Sequence, residues 1–242
     1  MQVAKAFHRA HNYDDHAAVQ SRVAEGLARH ILTLDLLAAP RVLEIGCGTG
    51  FLGAGLVGHL PYRHYWMTDL APGMLDRARQ RFAARTDISF AEMDAAHPTI
   101  EGPFDLICSS LAMQWIADLP GAVARLRALL SPGGRLIFTT LATGSFAEWR
   151  AAYGEALPGT PDYPSADALR AIGLEVSIER IDHRYTSARD FLNALKAIGA
   201  NTPQPGYRPL PPVLLREIMA RFEARGAQAR YVVATCLAGS LA

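Results

Sequence analysis

The chain has 242 residues, half of them hydrophobic and 19% charged, with a formal net charge of +1. That composition supplies a large core and excludes a disordered chain, and its length fits one α/β domain with some elaboration. The near-zero charge excludes a bulk field that would gather nucleic acid or an anionic membrane surface.

Residues 1–40 read as helical and amphipathic. Ala4–Ala10 form a short turn-rich helix, and Asp14 or Asp15 caps a second that runs through Leu37. In the second, Val19, Val23, Leu27, Ile31 and Leu34 recur at spacings of three and four, which makes one apolar stripe. Pro40 ends it. An arm of this kind ahead of the first strand either packs on a helix face or covers a site.

From Pro40 onward, strand-like and helix-like segments alternate. The strands read as Arg41–Ile45, His64–Asp69, Ile88–Ala91, Phe104–Ser109 and Arg135–Thr140, with helical patterns at Gly50–His59, Pro72–Ala84 and Leu119–Leu130 between them. This rhythm predicts right-handed crossovers and a mainly parallel sheet covered on both faces. Ligands of such sheets bind beyond the carboxyl ends of the strands, where the strand order reverses.

After Leu141 the rhythm loosens. A helix is expected over Gly144–Ala156, then a Pro/Gly-rich loop to Pro164, and Ser165 caps a short helix to Ala171. Leu174–Ile181 reads as a strand and Ser187–Ile198 as a helix. Prolines break the chain from Pro203 to Pro212, before a helix at Val213–Arg225 and a closing apolar strand at Tyr231–Leu237, short enough in connection to be antiparallel. Of four arginines near the C-terminus (Arg216, Arg221, Arg225, Arg230), the first three are interleaved with acids, and the group reads as a solvated face.

The cysteines Cys47, Cys108 and Cys236 are odd in number and far apart, which suits a reducing cytosol and matches no metal spacing. His8, His11 and His16 match no zinc pattern, so no metal is expected. No signal-peptide core is present, and no apolar run approaches the ~18 residues of a membrane span. The expectation is a cytoplasmic protein.

The stretch Arg41-Val42-Leu43-Glu44-Ile45-Gly46-Cys47-Gly48-Thr49-Gly50 carries the chemistry. A buried strand ends in three glycines at alternate positions, so backbone can approach a ligand with no Cβ in the way. A dinucleotide fingerprint would need its third glycine where Phe51 stands. Glu44 puts a carboxylate at the strand end, unfavourable for a pyrophosphate and attractive to an ammonium group. Asp69, ending the second strand, is placed to accept both hydroxyls of a ribose while also capping the next helix. Asp94, after the third strand, is placed to accept from an adenine amino group, or to cap its own loop.

Taken together, the Glu-x-Gly-x-Gly-x-Gly turn, Asp69, Asp94 and Phe104-Asp105-Leu106-Ile107 with Ser109-Ser110 resemble the class I S-adenosylmethionine-dependent methyltransferases over about residues 40–142. The resemblance implies a Rossmann-like α/β fold: a seven-stranded, mainly parallel sheet with an antiparallel last strand, a helical N-terminal lid, and insertions after strands 5 and 6. One domain is then expected over 1–242, with the lid at 1–40, the cofactor-binding core at 41–142 and substrate-side insertions and closing strands at 143–242. It places Gly46, Gly48 and Gly50 beside the methionine moiety of S-adenosylmethionine, Asp69 on the ribose, and Asp94 with Ala95 near the adenine. Glu44, Leu70, Met74 and Ser110 complete the implied cofactor contacts.

Finer matches are Leu111-Ala112-Met113-Gln114-Trp115, Phe138-Thr139-Thr140-Leu141-x-x-Gly144-Ser145-x-x-Glu148, Leu195-Lys196-x-Ile198-Gly199-Ala200, and Phe7-x-Arg9-Ala10-x-x-Tyr13 with Ala17 and Gln20. These resemble the malonyl-[acyl-carrier protein] O-methyltransferases of biotin synthesis, the BioC family. The Gln-Trp pair is shared with small-acid methyltransferases of the trans-aconitate type, which stay as the alternative. The C-terminal third matches the family only loosely. The resemblance implies malonyl-acyl-carrier protein or malonyl-CoA as acceptor, S-adenosylhomocysteine as product, and a monomer with neither nucleic-acid nor membrane partners. A free carboxylate is already ionised at neutral pH and needs no strong base, so alignment and water exclusion are expected to dominate. Tyr13 is the implied catalytic side chain, beside the methyl donor. Gln114 and Trp115 are expected to face the substrate, and Arg9, Lys196 or Arg184 to meet the malonyl end.

Overall fold

The computed structural model describes residues 17–154, 159–197 and 209–240. Seven strands, β1 (Arg41–Ile45), β2 (His64–Asp69), β3 (Ile88–Glu92), β4 (Phe104–Ser110), β5 (Leu130–Leu141), β6 (Glu175–Arg184) and β7 (Gln228–Gly239), form one sheet in the order β3-β2-β1-β4-β5-β7-β6. The first five run parallel to one another, and β7 lies antiparallel to both β5 and β6. Strand order reverses between β1 and β4, so their carboxyl ends open the crevice where ligands of such sheets bind.

Helix α1 (Ala18–Ile31) buries Val19, Val23, Ala24, Leu27, Ala28 and Ile31 on one stripe. It packs on α2 (Phe51–Leu56) so closely that a Cβ on Gly55 would come within 2.7 Å of Ala28 Cβ. The described part of the N-terminal arm is thus a packing element. It stops at Ile31 and not at Leu37, because the Thr33 hydroxyl takes the last-turn carbonyl of His30 (2.7 Å) while Leu32 and Leu37 face solvent.

Helices α3 (Pro72–Arg81) and α4 (Leu119–Ala128) complete the crossovers, each with a proline in its first turn and arginines in its last. Strand β5 begins at Leu130, five residues before the expected Arg135, because Leu130 pairs with Phe104 and an irregular register carries Ser131–Gly134 between that pair and Leu106–Arg135.

Parity along β1 sorts the core. Val42 joins one cluster with Leu27, Ile31, Tyr65 and Met67, whereas Leu43 and Ile45 join another with Phe104, Leu136 and Phe138. A third cluster lies past Leu141. There α5 (Ala147–Tyr153), α7 (Ala188–Ala197) and α8 (Pro212–Ala224) bring Phe146, Trp149, Phe191 and Phe222 against Tyr185 and Tyr231. The short α6 (Ala166–Ala171) is capped by Ser165, whose Oγ accepts from the Ala168 N–H at 3.1 Å.

Candidate active site

A cavity of about 470 Å³ opens at the carboxyl ends of β1, β2, β3 and β4. Its floor is the turn after β1, where Gly46, Gly48 and Gly50 all take positive φ. At Gly46 a side chain would collide with Ala112 Cβ, whereas at Gly48 a Cβ would meet nothing within 4 Å. Gly48 therefore leaves open space for a ligand, and Gly46 lets two loops close against each other.

Asp69 holds this turn in place. Its Oδ2 accepts the Gly48 N–H at 2.9 Å and its Oδ1 the Ala71 N–H at 2.8 Å. Both oxygens keep spare lone pairs, and the half-buried carboxyl lines the cavity. Burial pushes its pKa up, against the pull of the Ala71, Gly48 and Leu70 N–H groups. On the next loop, Asp94 Oδ1 accepts from the Ala96 N–H (2.9 Å) and its Oδ2 lies 3.2 Å from His97 Nδ1. Partial burial raises the Asp94 pKa, but those two partners outweigh it and hold the group below the usual carboxylate range. Leu70, Met74, Ala95 and Ser110 also line the cavity, as does Trp115.

Other expected residues stand elsewhere. Glu44 shares the face of Val42, 1% exposed, and does not line the cavity. It accepts the Tyr65 hydroxyl at 2.7 Å and a backbone hydrogen bond from Gly53 in the first turn of α2. Burial first, then the charge of Asp69, raise its pKa to about 8, while the Tyr65 and Gly53 bonds oppose the rise. The idea that its negative charge draws an ammonium group is therefore corrected: the carboxyl is turned into the core by strand parity. Gly50 is likewise corrected. It caps α2 in a left-handed conformation and gives room to the Phe82 ring, 2.7 Å from a would-be Cβ, without lining the cavity.

Gln114 folds back, its Nε2 donating to the Leu111 carbonyl at 2.6 Å, and is not part of the cavity wall. Lys196 is exposed on α7, and Arg184 is exposed with its Nε on the Gly226 carbonyl at 3.1 Å; neither lines the cavity. Tyr13 and Arg9 lie outside the described residues.

The structure adds walls that individual residue types did not announce: Ile45, Met93, His97, Leu111, Ile116 and Arg125. Leu111 sits at φ 50, held there by its N–H on the Thr139 carbonyl and hydroxyl, both at 3.1 Å. The cysteines are free and buried, with thiols pushed up by burial, which makes them inert as nucleophiles. Among the described residues no group of three or more His, Cys, Asp or Glu side chains could hold a metal ion, and no helix is long and apolar enough to cross a membrane.

What this arrangement can do is bind a nucleoside: carboxylates at the ends of β2 and β3, apolar walls between, and a side-chain-free turn alongside. A methyltransferase-domain family matches residues 43–136, the stretch that builds these features. Among solved structures, the YcgJ protein of Bacillus subtilis is similar in fold, with a TM-score of 0.60 at 17% identity over 88% of this chain and 95% of its own. The biotin biosynthesis bifunctional protein BioCD of Bordetella avium is 40% identical over 95% of this chain, which spans 50% of that protein. The malonyl-[acyl-carrier protein] O-methyltransferase of Magnetococcus marinus is also 40% identical, over 96% of this chain and 88% of its own length. Since that match spans nearly the whole of both chains, the chain belongs to the malonyl-[acyl-carrier protein] O-methyltransferase family.

Proposed function

We propose that this enzyme methylates the free carboxylate of a malonyl thioester, carried on acyl-carrier protein, in biotin synthesis. S-adenosylmethionine, when bound, supplies an electrophilic methyl on sulfur, and the acceptor oxygen takes it as the carbon–sulfur bond breaks and the electron pair stays on sulfur. The observation that carries the reading is Asp69. It is fixed by two backbone N–H groups at the lip of the cavity, where a carboxylate accepts hydroxyls and repels a phosphate.

In this reading Asp69 accepts the ribose hydroxyls, and Asp94 with Ala95 meets the adenine edge. Leu70, Met74 and Met93 pack beside the nucleoside, and the open backbone of Gly46 and Gly48 admits the methionine end. Ser110 and Trp115 border the path of the acceptor. No residue needs to take a proton, because the carboxylate arrives ionised; the chain contributes alignment and a dry wall. Tyr13 and Arg9 are proposed to close the donor and acceptor side, and the protein to act as a cytoplasmic monomer. Malonyl-CoA is proposed as a second acceptor.

The test is methyl transfer from labelled S-adenosylmethionine to malonyl-acyl-carrier protein, with malonyl-CoA, free malonate and trans-aconitate alongside. A malonyl methyl ester is the expected product; label on trans-aconitate alone would replace this acceptor with a small free acid. Asp69→Ala is expected to abolish calorimetric binding of S-adenosylhomocysteine.

A further inference from the structure

Three buried side-chain polar atoms have no hydrogen-bond partner among the described residues: Ser109 Oγ, Gln114 Oε1 and Tyr163 Oη. Protein cores avoid such atoms because an unpaired buried group forfeits its bonds to water. Ser109 lies near the end of β4 and Gln114 beyond it, on either side of Leu111 in sequence, and Tyr163 sits on the loop fastened to the carboxyl end of β5. That fastening is firm. Thr143 donates its N–H to the Pro164 carbonyl (3.0 Å) and its hydroxyl to the Tyr163 carbonyl (2.8 Å). Arg150 holds the same loop through Thr160 and Asp162.

Leu111 and Trp115 join the two regions, since both line the cavity and both pack on the aromatic cluster that Tyr163 also joins. Phe146 stands edge-on to the Tyr163 ring at 6.2 Å. Within that cluster the hydroxyls of Tyr185 and Tyr231 bond to each other, whereas the Tyr163 hydroxyl has no partner among the described residues. Burial pushes its pKa up, so it remains an O–H donor.

We propose that Tyr163 determines acceptor specificity: its hydroxyl donates a hydrogen bond to one oxygen of the acceptor carboxylate, in a subsite behind Leu111 and Trp115 that Gln114 borders. This rests on the carboxyl-methylation reading above. The hydroxyl is shielded from solvent, so the acceptor reaches it as the half-buried Trp115 side chain gives way. A neutral donor suits the chemistry. The carboxylate loses its charge as the ester forms, and a further full positive charge on it, beyond the Arg9 proposed for the acceptor side, would hold the ionised reactant more strongly than the transition state. A phenol orients the same oxygen with less ground-state stabilisation. Gln114 Oε1, which only accepts, suits a neutral N–H elsewhere on the acceptor.

Tyr163→Phe removes the oxygen and keeps the ring. With malonyl-acyl-carrier protein and labelled S-adenosylmethionine, the acceptor KM is expected to rise about tenfold or more, with kcat changing less. Calorimetric affinity for S-adenosylhomocysteine should be unchanged, and Tm unchanged or higher, because the deleted group had no partner. An unchanged KM overturns the proposal, whatever happens to Tm. So does a raised KM accompanied by a lower Tm or by lost S-adenosylhomocysteine affinity, which would give the hydroxyl a structural role in the shared wall. If the wild-type chain makes no malonyl ester, the proposed function falls first and this assignment with it, an outcome distinct from a wild type that turns over while the variant matches it.

Discussion

Single residues at the glycine turn divide into two kinds, and substitution separates them. Gly48→Ala adds a methyl to open space at φ +56, so the cost is backbone strain of about 1–2 kcal/mol. A Tm loss of roughly 5 °C is expected, with S-adenosylhomocysteine affinity falling at least tenfold by calorimetry because the methyl occupies the cavity. Gly46→Ala drives a methyl into Ala112 at φ +61 and combines strain with overpacking. There the expected loss is roughly 3 kcal/mol, read as a Tm drop of about 10 °C. Glu44 acts at this scale too. Folding raises its carboxyl from an ordinary 4.5 to about 8, so between those values the folded chain holds a proton that the unfolded chain has released. Stability from this group is full in acid and is lost as pH rises from about 4.5 towards 8. Glu44→Gln keeps an acceptor for Tyr65 and removes the titration, so its Tm should fall less than wild type between pH 5 and pH 8.5. Parallel curves would show that the carboxyl is ionised in the folded chain.

At the scale of elements, the segment after β5 has a physical reason for its residues. Ser145 Oγ accepts the Val232 N–H (3.0 Å) and lies 3.2 Å from the Val232 carbonyl, Glu148 Oε2 accepts the Arg230 N–H (2.9 Å), and Phe146 N–H donates to the Arg230 carbonyl (2.7 Å). These bonds satisfy β7 backbone just where β5 ends and stops pairing with it. Ser145→Ala would leave the buried Val232 N–H unpaired, at about 1–3 kcal/mol. Thermal unfolding should show a Tm lower by roughly 3–10 °C, with methyl transfer kept at low temperature. The short α2 is organised the same way. Its first turn receives the buried Glu44 carboxyl and its flank receives Phe82, which explains an acidic residue and a glycine that looked like ligand contacts in the sequence.

For the whole molecule, the cavity exists because strand order reverses between β1 and β4. Its walls come from loops after four strands, so a ligand there ties distant parts of the chain together. S-adenosylhomocysteine at about 100 times its Kd should add about 2.7 kcal/mol and raise Tm by roughly 5–10 °C, whereas NAD should leave it unchanged. A shift with NAD would contradict the choice of S-adenosylmethionine over a dinucleotide. The sequence by itself determined the alternation of strand and helix, the parallel core and the glycine turn, since periodicity and turn chemistry are local. It also carried the family, through segments whose residues hold β7 to β5. Only the tertiary structure decided where side chains near the site point. Strand parity turned Glu44 into the core, a local hydrogen bond folded Gln114 back, and packing against Phe82 claimed Gly50. Tyr163 and Leu111 owe their positions to contacts between segments far apart in the chain, which no local pattern encodes.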